Sequence, residues 1–411
     1  MAYERIVIIG AGHAGGAMAS SLRQSGYAGH VTLIGEEDAA PYQRPPLSKA
    51  YLKGETDLGQ LTLRDEAYYV EQKIDWRRAS MATAISRTDR TVTLKGGERL
   101  AYGGLVLATG RRARSLNIPG ADLSGSMTLR TAADADRLRS ALGPGVRLVI
   151  AGGGYVGLEV AASARSLGCE VVLVEREPRL LARVASEDVA AFFHARHEAA
   201  GVRLLTGRTI RGFESNGSGA VAKVGLDDGR QLPCDLALVG IGAIACDELG
   251  SVAGLECADG IVVDADGRTS EPDIFAVGDV TVRRLQRYGG AQVRLESVPS
   301  ALELVRAATA AIMGQARPAE ETPWFWSDQY DVKLQIAGLT LAAEHSLTRG
   351  NPSSGRFAVF HLRGDQVEAV EAVNSPADFM FGKKLIAARR SVDPRHLADA
   401  GVALPDTLRR P

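Results

Sequence analysis

Residues 5–36 read RIVIIGAGHAGGAMASSLRQSGYAGHVTLIGE, and residues 147–175 read RLVIAGGGYVGLEVAASARSLGCEVVLVE. Each opens with an apolar run of strand length, passes a glycine-rich turn into small residues at helical spacing, and ends in a second apolar run closed by an acid. That is a strand–turn–helix–strand unit of about 30 residues, the size of a mononucleotide-binding βαβ. Gly10, Gly12 and Gly15 keep the spacing GxGxxG, and Gly152, Gly154 and Gly157 repeat it. The first glycine permits the tight turn, the second lets backbone N–H groups approach a pyrophosphate, and the third lets helix and strand pack closely. The helix N-terminus then turns its positive end toward the phosphates. One such turn is weak, because glycine-rich turns also serve purely structural ends. Two, each followed by a strand that runs into an acid, Glu36 and Glu175, predict two dinucleotide sites.

The two copies stay similar beyond the βαβ. TVTLKGGERLAYGGLVLATG, a hairpin and a buried strand, closes on Thr109-Gly110, and AKVGLDDGRQLPCDLALVGIG closes on Ile241-Gly242. A third block, TSEPDIFAVGDV, joins an apolar strand to Gly278-Asp279, and RLESVPSALELVRAATAAIMG reads as a helix. From about Pro318, PWFWSDQYDVKLQIAGL and GRFAVFHLRGDQVEAVEAV alternate with the two-residue period of antiparallel strands, with a short helix near FGKKLIAARR. The expected class is therefore α/β: two Rossmann-like dinucleotide-binding domains plus a small α+β C-terminal domain.

With 411 residues, 45% of them hydrophobic and 24% charged, the chain is long enough for several cores. Its formal net charge of −1 excludes a globally basic nucleic-acid or anionic-membrane binder. The N-terminus reaches its glycine turn too soon for a signal peptide, and no apolar run approaches the roughly 20 residues of a membrane span, so a cytoplasmic protein is expected. Cys169, Cys234, Cys246 and Cys257 show neither CxxC nor CxxxxC spacing, and reduced thiols are the expectation.

Individual residues carry competing readings. A carboxylate at Glu175 accepts ribose hydroxyls and repels a 2′-phosphate, favouring NADH over NADPH; Arg176 opposes this unless it is a solvated surface charge, the reading adopted. Glu159, read as lying in the first turn of its helix, is explained by the helix dipole or by a functional partner. Asp279 suits hydrogen bonding to a ribityl chain or an N-cap. His13 is read as a tolerated side chain pointing outward, and His194 with His197 in FFHARH as a metal pair that no carboxylate or cysteine cluster supports. Trp324 and Trp326 share one face of a strand. In APYQRPPLSKAYL, residues 40–52, the prolines delay a helix until after Pro46, and no cysteine occurs.

The motifs YQRPPLSKAYL, LVLATG, LRT, GGGYVGLEVA, AVGD, ESVPSALE and PWFWSDQ, in this order along nearly the whole chain, resemble the FAD-dependent ferredoxin reductases of bacterial oxygenase systems, within the glutathione-reductase-like flavoproteins. The resemblance implies an FAD domain from 1–112 and 241–320, an NADH domain from 113–240, and a C-terminal domain from 321–411 covering the flavin. It implies FAD held by Gly10, Gly12, Ala14, Gly15, Glu36, Arg44, Lys49, Ala82, Thr109, Gly110, Arg130, Asp279 and Val298. NADH would be held by Gly152, Gly154, Tyr155, Gly157, Glu159, Glu175, Arg183 and Gly242. Lys49 is expected near flavin N5, paired with Glu159, and Trp326 over the flavin or along the path to the acceptor unless it merely packs. The implied acceptor is a small acidic 2Fe-2S ferredoxin, serving a haem monooxygenase or a Rieske oxygenase and docking near Arg64 and Arg306. The RRAR run at 111–114 is a weaker candidate. The oligomeric state is left open between monomer and weak dimer. Alternatives are another acceptor (rubredoxin, quinone, monodehydroascorbate or oxygen) and a non-catalytic redox flavoprotein resembling apoptosis-inducing factor.

Overall fold

The computed structural model describes residues 3–409. They form two compact units. The residues up to Arg44, with Leu58–Arg112 and Ile244–Pro323, make the first; Pro45–Asp57, Ala113–Ala243 and the residues from Trp324 onward make the second. This division departs from the sequence-based partition in two places. Residues 45–57 group with the second glycine turn, because Leu52 belongs to that unit's core and Ser48 and Lys49 bond to its helix. The C-terminal strands group there too, through Val332, Leu334 and Ile336 in the same core.

In the first unit five parallel strands lie in the order Ile274–Ala276, Gly104–Leu107, Arg5–Ile9, His30–Ile34, Ile74–Arg77. Strands buried on both faces need no polar alternation, which is why RIVII and GLVL are nearly continuous apolar runs. The helix His13–Gln24 buries Gly15, Gly16, Met18, Ala19 and Leu22, and its small residues permit close approach to the sheet. The helix Val298–Ile312 lies beside it, tied by a hydrogen bond from Thr309 Oγ1 to Ser21 Oγ at 2.9 Å.

The second unit repeats the plan. Arg203–Thr206, Glu170–Glu175, Arg147–Ala151, Leu236–Val239 and Ser126–Met127 form a parallel sheet whose first four strands repeat the order of the first sheet, whereas its outer strand Ser126–Met127 comes earliest in the chain and Ile274–Ala276, in the same place of the first sheet, comes last. An antiparallel sheet follows, ordered Trp324–Gln329, Val332–Gly338, Gln366–Val373, Arg356–Arg363, His345–Asn351, with the helix Pro376–Ala388 packed on it. The class expected from the sequence, two Rossmann-like halves and a small α+β block, is the class observed.

Local boundaries differ. Ala291–Val293 is a strand, and the following helix starts only at Val298, where Ser297 accepts the Ser300 N–H and Pro299 occupies an early position that needs no donor. The C-terminal helix is also longer than FGKKLIAARR suggested, since it starts at Pro376. At the double proline a single 3-10 turn already runs over Pro45–Ser48, and the α-helical turn Ala50–Lys53 begins after it. Lys49 joins the two with φ −126° and ψ −111°.

Candidate functional site: two glycine turns and a buried lysine–glutamate pair

Each glycine turn contains positions that the protein explains and one that it does not. In the first unit Gly10 has φ +107°, and a Cβ there would lie 2.2 Å from the Ala108 carbonyl oxygen. A Cβ at Gly15 would lie 1.8 Å from the Gly10 oxygen. At Gly12 it would meet nothing nearer than an Arg44 guanidinium nitrogen at 3.7 Å. Gly10 and Gly15 are thus demanded by packing, whereas the bare backbone at Gly12 faces space that suits a closely approaching anion. Gly278, at φ +79°, would place a Cβ 2.7 Å from that of Ala14, so both must be small. Asp279 follows it inside the 3-10 turn Gly278–Val280, and the nearest long helix is capped by Ser297; the N-cap reading of Asp279 does not hold.

Arg44 lies by this turn. Glu37 fixes it through a 2.6 Å ion pair and accepts the Tyr42 hydroxyl at 2.6 Å, while Arg44 stacks over the Tyr42 ring at 5.2 Å. Nothing in the sequence sets Glu37 apart from its neighbour Glu36, which is exposed. His13 does not point outward: its Nδ1 is buried without a hydrogen-bond partner, and its pKa is depressed by burial and by Arg44, against the pull of Asp279. A buried unpartnered donor or acceptor beside an open glycine is the kind of group a bound phosphate satisfies. Ala82 is buried at the start of its strand, Val298 is the first residue of its helix, and the Thr109 hydroxyl donates to the Cys246 carbonyl at 2.6 Å beside Gly110, whose φ is +64°.

The second turn repeats the pattern. A Cβ at Gly152 would lie 2.4 Å from the Gly240 oxygen and one at Gly157 would lie 2.1 Å from the Gly152 oxygen, yet at Gly154 it would meet nothing within 4 Å. Gly242, at φ +106°, also faces open space. Glu175 does more than close its strand: its carboxylate accepts the N–H of Gly153 at 2.6 Å and of Glu177 at 2.8 Å, bracing the turn. Tyr155, first in the helix, donates to the Val184 carbonyl at 3.0 Å and packs edge-on against Phe325 at 4.7 Å. Arg183 is exposed and has no partner among the described residues, whereas Arg176 pairs with Glu177 at 2.9 Å. Arg130 precedes the capping box formed by Thr131 and Asp134.

Within the same unit Lys49 and Glu159 meet at 2.8 Å. Glu159 is the fifth residue of Tyr155–Ser166, beyond the first turn, and is only 6% exposed, so a helix-dipole explanation fails. Its Oε2 accepts from Ser48 Oγ at 2.5 Å and from Lys49, and its Oε1 accepts from Ser327 Oγ at 2.7 Å. Ser163 Oγ anchors the loop by donating to the Ser48 carbonyl at 2.7 Å. Three donors on one buried carboxylate make a fixed, fully directed charge. The two serines carried no sequence signal, because their partners lie 111 and 168 residues away.

Trp324 and Trp326 share a strand face, with ring centroids 5.7 Å apart, and Trp324 also packs on Phe379 at 5.6 Å. Phe325 and Ser327 point the other way, toward the helix that bears Glu159. The four cysteines are free, two of them buried. Arg306 is ion-paired with Glu321, and Arg111 and Arg112 with Glu296 and Glu248, so most of the RRAR run is neutralised in place. Arg64 is exposed, stacked on Tyr68 at 5.2 Å, with no acidic partner among the described residues.

Among the described residues no three His, Cys, Asp or Glu side chains are grouped to hold a metal. His194 is on the surface beside Glu198, while His197 is fully buried between Gln329 at 2.9 Å and Tyr330 at 3.0 Å. Burial pushes its pKa down to about 4. Between about pH 6.5 and 4 the unfolded chain takes up a proton that the folded chain refuses, so stability is present above this window and falls as pH drops through it. The loss is roughly 3 kcal/mol in total. Denaturant unfolding at pH 7 and pH 4.5 should show this slope in the parent protein and a shallower one in His197→Gln; equal slopes would remove His197 as its source.

Comparison with known proteins shows the family. Residues 4–305 match the family described as pyridine nucleotide-disulphide oxidoreductase, and residues 324–408 match the one described as reductase C-terminal. The chain is 44% identical over 401 residues to a probable ferredoxin reductase, CtmF, of Castellaniella defragrans, covering 98% of each chain. It is 41% identical over 411 residues to putidaredoxin reductase CamA of Pseudomonas putida, covering 99% of this chain and 97% of that one. Among solved structures it matches the covalent putidaredoxin reductase–putidaredoxin complex with a TM-score of 0.95 and 41% identity, covering 99% of this chain and 98% of that one.

Proposed function

The chain belongs to the pyridine nucleotide-disulphide oxidoreductase family, and from that membership we propose that it is an NADH-dependent, FAD-containing reductase of a small 2Fe-2S ferredoxin serving an oxygenase. The observation that carries this reading is what occupies the place of a dithiol. The segment 45–57 presents Lys49, held by a buried glutamate, and carries no cysteine. Without a dithiol relay, electrons must leave for an external carrier. The overall balance is NADH plus two oxidised ferredoxins giving NAD+, two reduced ferredoxins and one proton.

The open Gly12 backbone, the orphaned His13 nitrogen and the glutamate-held Arg44 fit the pyrophosphate of FAD, with Asp279 for its ribityl chain. Ala14, Ala82, Thr109, Gly110, Arg130 and Val298 are assigned to its surroundings. Gly154, Gly242, Glu175 and the exposed Arg183 fit NADH. A carboxylate at Glu175, together with an Arg176 already engaged by Glu177, favours a 2′-hydroxyl over a 2′-phosphate. FAD, when bound, supplies the hydride acceptor and releases electrons singly. Lys49 places a fixed positive charge where negative charge grows, and Glu159 orients that ammonium. Neither residue is asked to move a proton. Trp326 is assigned as the aromatic cover of the ring.

The partner is expected to be acidic. Arg64 has its charge available for docking, whereas Arg306 must first release Glu321. A cytoplasmic location belongs to the same proposal; among the described residues no helix is long and apolar enough to cross a membrane. The reading is tested by anaerobic addition of pyridine nucleotide. NADH should bleach the flavin within seconds at micromolar concentration, with NADPH at least roughly tenfold less effective. Absence of bleaching by either nucleotide would defeat the proposal.

A further inference from the structure

Two motifs are left over by that assignment: His197 of FFHARH, and Ser327 with Gln329 of PWFWSDQ. In the second unit they form one buried chain that ends on Glu159. Ser327 Oγ lies 2.7 Å from Glu159 Oε1, Gln329 Nε2 lies 3.2 Å from Ser327 Oγ, His197 Nε2 lies 2.9 Å from Gln329 Oε1, and the Tyr330 hydroxyl lies 3.0 Å from His197 Nδ1. Ser327 and His197 are 0% exposed and Gln329 is 1% exposed, so no bulk water competes for these groups.

Proton counting fixes the direction of every link. The Glu159 carboxylate only accepts, so the single Ser327 proton goes to it, and Ser327 must then accept from its other neighbour. That neighbour is therefore the amide nitrogen of Gln329, which turns the amide oxygen toward His197. A flipped amide would set oxygen against the serine oxygen with no proton between them. Gln329 Oε1 requires a donor, so His197 carries its proton on Nε2, and its bare Nδ1 accepts the Tyr330 hydroxyl. Each link points its hydrogen toward Glu159, and aligned donors in a low-dielectric interior strengthen one another.

We propose that Ser327, Gln329 and His197 are positioning residues: a one-way hydrogen-bond chain that holds Glu159 Oε1, so that Oε2 stays directed at Ser48 and Lys49. This inference rests on the function assigned to the Lys49–Glu159 pair. The chain also places Ser327 on the strand next to Trp326, so the strand that bears the tryptophan and the lysine pair share one fixed element. The tyrosine at its far end is only half-buried, with its own ionisation pushed up to about 12, so it stays a donor at all ordinary pH.

The test has two arms. In the holoenzyme without NADH, 15N NMR of the histidine rings, with His197 assigned by its loss in His197→Asn, should show a protonated Nε2 and a bare Nδ1, and the opposite tautomer would overturn the chain's direction. In stopped-flow flavin reduction, Ser327→Ala should lower the limiting rate about tenfold with the NADH dissociation constant unchanged, and Ser327→Thr should restore it. An unchanged rate in Ser327→Ala, alongside a slowed Lys49→Ala, would overturn the positioning role. If Lys49→Ala itself is unaffected, the role of the pair fails and the positioning role with it, while the tautomer result still decides the chain's direction.

Discussion

Replacing Lys49 by alanine should slow reduction of the bound flavin by NADH by roughly 100-fold while the purified protein keeps its flavin, as read by stopped-flow absorbance and by cofactor content. The size follows from what is removed. A preorganised charge in a site of low water content acts through a small effective dielectric and needs no reorganisation when hydride moves, which is why one such donor commonly accounts for factors of about 100 to 1,000. Here the ammonium is held at 2.8 Å by a carboxylate that two serines also hold. Alanine leaves that carboxylate 6% exposed with serine donors alone, a buried charge without its counter-ion, which adds to the penalty. Glu159→Gln should retain part of the rate, since the amide can still engage Ser48 and Ser327. An alanine variant reduced as fast as the parent would remove Lys49 from the mechanism.

The second large effect separates glycines that serve the fold from glycines that serve a ligand. Gly154→Ala should leave thermal stability within a degree or two and flavin content unchanged, yet raise the NADH dissociation constant by roughly 100-fold, or about 2.7 kcal/mol. The residue is in an extended N-cap conformation, φ −83° and ψ −179°, which alanine adopts freely, and its Cβ would meet no protein atom within 4 Å. Only a ligand lying against that backbone would notice the methyl group. Gly157→Ala is the contrast: its Cβ would lie 2.1 Å from the Gly152 oxygen, so the helix must move and the unit should fail to fold stably. Equilibrium titration by flavin-independent fluorescence, together with thermal melts, distinguishes the two. Equal NADH affinity in Gly154→Ala would mean that this turn does not carry the nucleotide.

Much of this organisation was legible before any coordinates. Both glycine turns, the doubled strand–turn–helix–strand unit and the alternating C-terminal strands follow from local periodicity, and local periodicity is what a single sequence records. What escaped is long-range. Glu37 looked no different from Glu36, yet it pairs with Arg44, because the chain bends back through Tyr42. The pairing of Glu159 with Lys49 was implied by the resemblance, but the hold of Ser48 and Ser327 on the same carboxylate, from distant parts of the chain, was not. His13 and the RRAR arginines read as surface groups; Arg112 and Arg114 are, but the His13 imidazole has a buried nitrogen and the Arg111 side chain is buried against Glu296. The lysine of the double-proline segment was visible; that its segment packs with the second unit was not, since Leu52 finds its core only after folding.

The most direct measurement is the fate of the electrons. Protein reduced by one equivalent of NADH without oxygen is mixed with oxidised 2Fe-2S ferredoxins from bacterial oxygenase systems, or with air-saturated buffer. At least one ferredoxin should be reduced with a stoichiometry of two per NADH and on a timescale at least roughly 100-fold faster than reoxidation in air. Prompt reoxidation by oxygen, with no ferredoxin in the panel reduced, would contradict the account.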